Sequence, residues 1–300
     1  MSGGPDASAP GDGSTPPDEP SASGSALTDD REPSEDDPID PESVDRDAVA
    51  RGGLYSLLAR GFRHPDESLH AAAADGRLAG DAAELAETTI VDLPAPDGAG
   101  ESTQLVTDDD FETLCARYND LFVIGFATYE DRTDGSLASD GPPVPLYEST
   151  YRPEASWGDV NLDLARAYEF FGLGVDGDDR DNHDALPLQL EFAAYLARRE
   201  ALGEPGAAAA RLDLLDRHLS YVAAGVCERL LEEVGTDIYG DLGDLLARLI
   251  QAEQADLGQR RQAGEFELEP TPSDGGGGGE GKPGDTRGGD DGRRGGGDSG

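Results

Sequence analysis

Apolar side chains recur three and four positions apart through most of the middle of this chain, the spacing that gathers residues onto one face of an α-helix. The first such run covers 44–62, with Val49, Leu54, Leu57, Leu58 and Phe62 broadly on one side. His64-Pro65 ends it, because proline disfavours helix in the residue before it. Two shorter Ala-rich helices are expected at 66–74 and 81–89, followed by an acidic surface loop over 94–109. Phe111, Leu114, Cys115, Tyr118, Leu121 and Phe122 then mark another helix, with Asp108 to Asp110 near its start, where acids complement the helix dipole.

From 128 to 143 the pattern breaks into Asp, Gly, Ser and Pro, so that Pro145-Leu-Tyr-Glu-Ser-Thr-Tyr151 falls within a long connection. Long ordered connections in compact domains are often functional. A helix is expected over 159–171, with Leu164, Tyr168 and Phe171 on one face, Glu169 facing solvent, and Gly172 and Gly174 as its stop. The next helix covers 186–200 and tolerates Pro187 in its first turn. Two more finish the pattern. Leu212, Leu215, Leu219, Val222, Val226 and Leu230 form one stripe, and Ile238, Leu242, Leu245, Leu246 and Leu249 the other, joined by Gly235-Thr236-Asp237 as stop and cap. No strict apolar–polar alternation argues for a sheet. The expected class is all-α, a compact helical bundle with short connections.

Composition changes this picture at the two ends. Residues 1–45 are Ser, Pro, Gly, Asp and Glu with almost no large apolar side chains, and 263–300 are largely Gly and Asp. Neither stretch buries enough apolar surface to offset ordering entropy, so both are expected to be disordered tails around one domain at 46–262. The net charge is −41; with thirteen acids and one Arg in 1–45, and nine acids and four bases in 263–300, the body itself carries −24. Lys282 is the only lysine among 23 basic residues. Such a composition resembles that of proteins from salt-accumulating halophilic archaea, whose acid-rich surfaces stay soluble in salt while repelling themselves in dilute buffer. A docking surface for a basic partner is the rival reading. The acids are spread along the chain rather than clustered, which favours the first.

Nucleic acid is excluded as a partner by the absence of a basic patch. Cys115 and Cys227 each lie beside apolar residues in a helical pattern and read as buried free thiols. His64, His70, His183 and His218 are too far apart for a metal site, and read as unrelated surface or capping residues. No apolar run is long enough to span a bilayer and no leader-like segment opens the chain, so a cytoplasmic protein without membrane insertion is expected.

The candidate chemistry lies in two segments. Pro145, Tyr147, Glu148, Ser149 and Tyr151 combine aromatic area with fixed polar anchors, which suits a partly apolar binding groove. The plainer alternative is that they pin the loop onto the bundle, with Glu148 satisfying backbone donors. The second segment is Asp184-Ala-Leu-Pro-Leu-Gln-Leu-Glu-Phe192, in which Asp184 serves either binding or a helix cap.

With Tyr118-Asn-Asp-Leu-Phe122 upstream, the order and spacing of these segments resemble the TorD/DmsD/NarJ family of cytoplasmic chaperones, over about 45–255. Pro145, Tyr147, Glu148, Ser149 and Tyr151 match the family's Pro-x-Tyr-Glu-Ser-x-Tyr loop, and Asp184, Leu186, Leu190, Glu191 and Phe192 match its second motif. The family's histidine is replaced by Ala185, and His183 stands two residues earlier. The resemblance implies an all-helical chaperone, without cofactor, metal or catalysis. Its partner would be the catalytic subunit of a molybdopterin oxidoreductase of the dimethyl sulfoxide or nitrate reductase type. It would hold the twin-arginine signal peptide or N-terminal region of that subunit until cofactor insertion, with His183, Asp184, Leu190, Glu191 and Phe192 joining the loop at the binding surface. Two other readings stay open: an assembly factor for the folded subunit, and a small helical hydrolase using Glu148 and Glu191. The resemblance allows a monomer or a helix-swapped dimer.

Overall fold

A computed structural model describes residues 27–29, 41–89, 104–125, 127–128, 138–139, 141–175 and 182–268, with only the backbone of 27–29, 127–128 and 138–139. The chain divides into two units, Met1–Glu267 and Leu268–Gly300, and every element described lies in the first. Most of the acidic loop expected at 94–109, most of the tails and most of the 128–143 connection lie outside the described residues.

The protein is all-α. Helix α1 (Arg46–Gly61) starts where the Asp45 carboxylate accepts from the Asp47 and Ala48 amides. Leu54, Leu58 and Phe62 are fully buried on it, whereas Val49 faces out. Five residues of helix turn Val49 well away from Leu54, and Ala48, Arg51 and Tyr55 take the inward positions instead. Helices α2 (Glu67–Ala74) and α3 (Arg77–Thr88) follow; Asp66 caps α2 through the Leu69 amide at 2.6 Å. Helix α4 (Phe111–Tyr118) is capped by Asp110 on the Thr113 amide at 2.8 Å, then widens into a π turn at Asn119–Val123. A 3-10 turn at Glu148–Tyr151 leads to α5 (Trp157–Phe170), and Gly172, at φ 73, terminates that helix as its pattern predicted.

Helix α6 (Leu186–Ala201) is the central element, with Leu186, Leu190, Ala193, Ala194, Leu196 and Ala197 wholly buried. It packs along α1, where Gly52 leaves room for the Ala194 carbonyl and the Ala197 methyl to approach. The stripe from Leu212 to Leu230 is not one uniform helix. It comprises α7 (Ala207–Leu214), a π turn at Leu215–Leu219 and α8 (Ser220–Glu232). Helix α9 (Ile238–Gln262) packs against α8. Its predicted cap fails, because the Asp237 carboxylate accepts instead from the Thr107 hydroxyl at 2.5 Å.

Two small antiparallel ladders occur among the described residues, and neither forms a layer of the fold. β1 (Leu27–Asp29), from the stretch read as a disordered tail, pairs with β4 (Leu173–Val175), and elsewhere β2 (Ala127–Thr128) pairs with β3 (Ala138–Ser139). Strands of two or three residues are too short for an alternating side-chain pattern to signal them. No described helix is long and apolar enough to cross a membrane.

Candidate functional site

The two motif segments are adjacent in space, stitched together mainly by backbone. Tyr147 bridges Ala185 in antiparallel fashion, the Glu148 amide donates to the Asp184 carbonyl at 3.0 Å, and the Leu186 amide donates to the Leu146 carbonyl at 2.8 Å. Asp184 is wholly buried, and its carboxylate accepts from the Ser149 amide at 2.9 Å. It therefore does not cap α6, whose N-cap position is held by Ala185 without a side-chain bond. A carboxylate in the place of a missing backbone acceptor fixes the start of the 3-10 turn.

Beneath this junction lies a buried polar cluster centred on Glu148, which is 0% exposed. Its oxygens accept from Gln189 Nε2 at 2.9 Å and Arg152 Nη1 at 2.7 Å, and face His218 Nδ1 at 3.1 Å. His218 Nε2 lies 3.0 Å from the Asp163 carboxylate, and Arg217 pairs with the same carboxylate. Arg152 also donates to the Arg217 carbonyl at 2.9 Å, tying the loop to the π turn. Burial by itself lowers the pKa of His218, but hydrogen bonds and charge from Asp163 and Glu148 outweigh it and raise the net value above 6.5. Asp163 moves down, mainly because His218 hydrogen-bonds it.

The predicted residues therefore occupy different depths. Tyr147 is the one that stands out into solvent, 40% exposed. Pro145, Ser149, Tyr151 and His183 are half-buried: the Tyr151 hydroxyl donates to the Pro145 carbonyl at 2.7 Å, and the Tyr151 ring fills the space left by the missing side chain of Gly225. The His183 ring stacks on Tyr168, whose hydroxyl donates to the His183 carbonyl at 2.9 Å. Leu190 and Phe192 are core residues, Phe192 meeting the Tyr168 ring edge-on at 4.9 Å. Glu191 is half-buried and pairs with Arg63 at 2.6 Å. Glu148 and Glu191 thus answer separate sets of cations. Among the described residues no group of three metal-ligating side chains is placed to hold an ion.

Comparison with known proteins gives this loop its context. The nitrate reductase delta subunit family matches residues 72–227, a stretch from α2 to α8 that contains the whole Glu148 cluster. The chain belongs to that family. It is a chaperone of the TorD/DmsD/NarJ type rather than an enzyme, as the motifs implied. The perchlorate reductase assembly chaperone protein of Dechloromonas aromatica (strain RCB) is 30% identical over 220 residues, covering 70% of this chain and 91% of that one. The selenate reductase assembly chaperone protein of Thauera selenatis is 34% identical over 164 residues, 52% of this chain and 77% of its own length. The chlorate reductase assembly chaperone protein of Ideonella dechloratans is 32% identical over 158 residues, 50% and 74% respectively. No solved structure matches the chain.

Two buried members of the chaperone's cluster, and with them Arg152, Asp163 and Arg217, escaped the sequence reading. His218, read as a surface or capping residue, is buried; it sits three residues after Leu215 and four before Val222, so a polar residue on that stripe was the available signal. Gln189, between Leu188 and Leu190, carried the same signal. A pH dependence follows for His218. Since its folded pKa is raised, the stabilisation it contributes is complete below about pH 6.5 and is lost as pH rises through the higher folded value. The stability advantage of the native chain over His218→Gln is therefore expected to be largest at pH 6 and to shrink toward pH 9, as read by denaturant midpoints. An advantage that stayed constant over that range would refute the assignment.

Proposed function

We propose that this chaperone matures a molybdopterin oxidoreductase by binding the N-terminal region of its catalytic subunit, including a twin-arginine signal, and releasing it only after cofactor insertion. The observation that carries this reading is the perchlorate reductase relative, matched over 91% of its length and named for reductase assembly. The acidic body supports it. A segment that is basic and then apolar complements a surface combining abundant carboxylates with the exposed Tyr147 ring. On this reading the protein works in the cytoplasm, where the client is made, and needs no cofactor of its own.

The placement of the motif residues divides the labour among them. Tyr147 would touch the client, with Pro145, Ser149, Tyr151, His183 and Glu191 at the margins of the contact. Glu148, Asp184, Leu190 and Phe192 would act from beneath by fixing the loop. His183, half-buried and stacked on Tyr168 just before α6, would substitute for the histidine that Ala185 replaces.

If the cell interior is salty, screening shortens to about 3 Å at 1 M salt, so close contacts rather than long-range attraction must supply the affinity. Tyr147→Ala is then expected to weaken binding of the host's twin-arginine peptides in molar KCl by about tenfold, in keeping with loss of an aromatic anchor. Neutralising a distant surface acid should change little, and Lys-Lys peptides should bind poorly. Equal losses from both substitutions would overturn the assignment of Tyr147. The word "assembly" in the relatives' names favours a second reading, in which the chaperone grips the folded subunit. Capture of that subunit with no binding of any signal peptide would decide for it.

A further inference from the structure

Beside the Gly52 contact, α1 and α6 line a cavity of about 460 Å³. Ser56 and Arg60 of α1 line it, with Arg63 just beyond that helix, and Glu191, Tyr195 and Arg198 come from α6. In a chain of net charge −41, three guanidinium groups around one cavity reverse the local sign. Among the described residues Glu191 is the only carboxylate in the lining, and it already pairs with Arg63 at 2.6 Å. Arg60 reaches outward to Asp66 at 3.3 Å and to Ser68, and it remains half exposed.

Arg198 is the telling residue. Its guanidinium donates to the Ser56 hydroxyl at 3.1 Å, and among the described residues no carboxylate pairs with it. The Ser56 hydroxyl spends its own proton on the Gly52 carbonyl at 2.8 Å, so it is fixed as an acceptor and aims Arg198 from below. The aliphatic stem of Arg198 lies against the same glycine. A chain with 64 acids thus leaves an exposed arginine held by a neutral group at the mouth of a cavity. Planar guanidinium groups recognise carboxylate and phosphate oxygens in paired fashion, and the volume falls in the range of small-ligand sites.

We propose that this cavity is an oxyanion site, taking a phosphate or carboxylate group with Arg198 as its main anchor and Arg60 as the second. Its two anchors take no part in the client-binding reading, in which a twin-arginine segment would meet like charge at them, although Glu191, at the margin of that contact, also lines this cavity. The anion comes either from a free phosphorylated molecule or from acidic side chains of a bound protein segment.

The test titrates the full chain by calorimetry with pyrophosphate in one arm and a Glu-rich peptide in the other, at fixed salt. The native chain is expected to bind at least one probe, and Arg198→Ala to weaken that binding about tenfold or more, the effect of losing a charged hydrogen bond. Arg198→Lys should restore part of it, and Arg60→Ala should cause a smaller loss. Unchanged thermal midpoints and unchanged twin-arginine peptide affinity in these variants would separate the site from folding and from client recognition. Pyrophosphate binding alone identifies a free phosphorylated ligand, and peptide binding alone identifies an acidic protein segment. Failure of both probes, or binding indifferent to both alanine substitutions, overturns the proposal.

Discussion

Glu253→Ala is expected to lower the free energy of unfolding by about 3–5 kcal/mol, the range for removing one partner of a buried ion pair. Glu253 is fully buried on α9 between two arginines that are themselves buried, Arg51 of α1 and Arg211 of α7. Arg51 Nη1 lies 3.1 Å from one of its oxygens and Arg211 Nε 2.9 Å from the other, while the Tyr55 hydroxyl donates at 3.2 Å. The Arg211 contact is an ion pair by distance whose N–H is not aligned as a hydrogen bond, so charge rather than direction dominates it. Burial alone would lower the pKa of Arg51; Glu253 and Asp256 more than compensate, and it stays charged. Removing Glu253 therefore strands charge in the core. Arg51 retains Asp256 at 2.6 Å and Asp47 at 2.5 Å, whereas Arg211 retains only Glu200 at 2.8 Å among the described residues. The cost should consequently fall mainly on the α7–α9 contact. Denaturant unfolding in molar KCl checks this, and the paired change Glu253→Leu with Arg211→Met should recover most of the loss, because no unpaired charge then remains at that contact. A loss below about 1 kcal/mol, the range of a surface pair, would mean that water reaches the triad.

That triad marks where sequence reading stops. Apolar spacing located the helices well: the faces of Leu164 and Tyr168, Leu212 to Leu230 and Leu242 to Leu249 are buried as their periodicity requires. Arg51, Arg211 and Glu253 are polar residues on the inward faces of α1, α7 and α9, and period alone treats them as interruptions. Their meaning lies in which helix each one meets, a property of tertiary packing rather than of local pattern. The π turns at Asn119–Val123 and Leu215–Leu219 were illegible for a related reason. One wide turn shifts the stripe too little to break spacings of three and four, yet it decides where a residue such as His218 points. At the candidate site, the motif residues announced a loop joined to the start of α6. Whether each would face solvent depended on partners far along the chain, as Glu148 and His218 show.

Glu148→Gln separates holding the loop from touching the client. The substitution keeps shape and removes charge, leaving buried His218 and partly exposed Arg152 beside a neutral amide. His218 retains Asp163, and Arg152 retains some water and the Arg217 carbonyl, so the expected loss is about 3 kcal/mol, the low end of the range for breaking a buried pair. Gln189 already donates to Glu148 Oε2, and the new amide must turn its oxygen that way, presenting its own NH2 group to Arg152 and His218. The strain falls on the 3-10 turn Glu148–Tyr151, and through it on Tyr147. Exchange of the amide protons at 148 and 149, which are bonded to the Asp184 carbonyl and carboxylate, should therefore quicken in Glu148→Gln. Tyr147→Ala should leave both amides protected while still weakening peptide binding, since those amides are bonded to Asp184 and not to the Tyr147 side chain. If Glu148→Gln left amide exchange and stability unchanged, the buried cluster would not be what holds the loop. Its carboxylate would then have to act on the client through some rearrangement that exposes it.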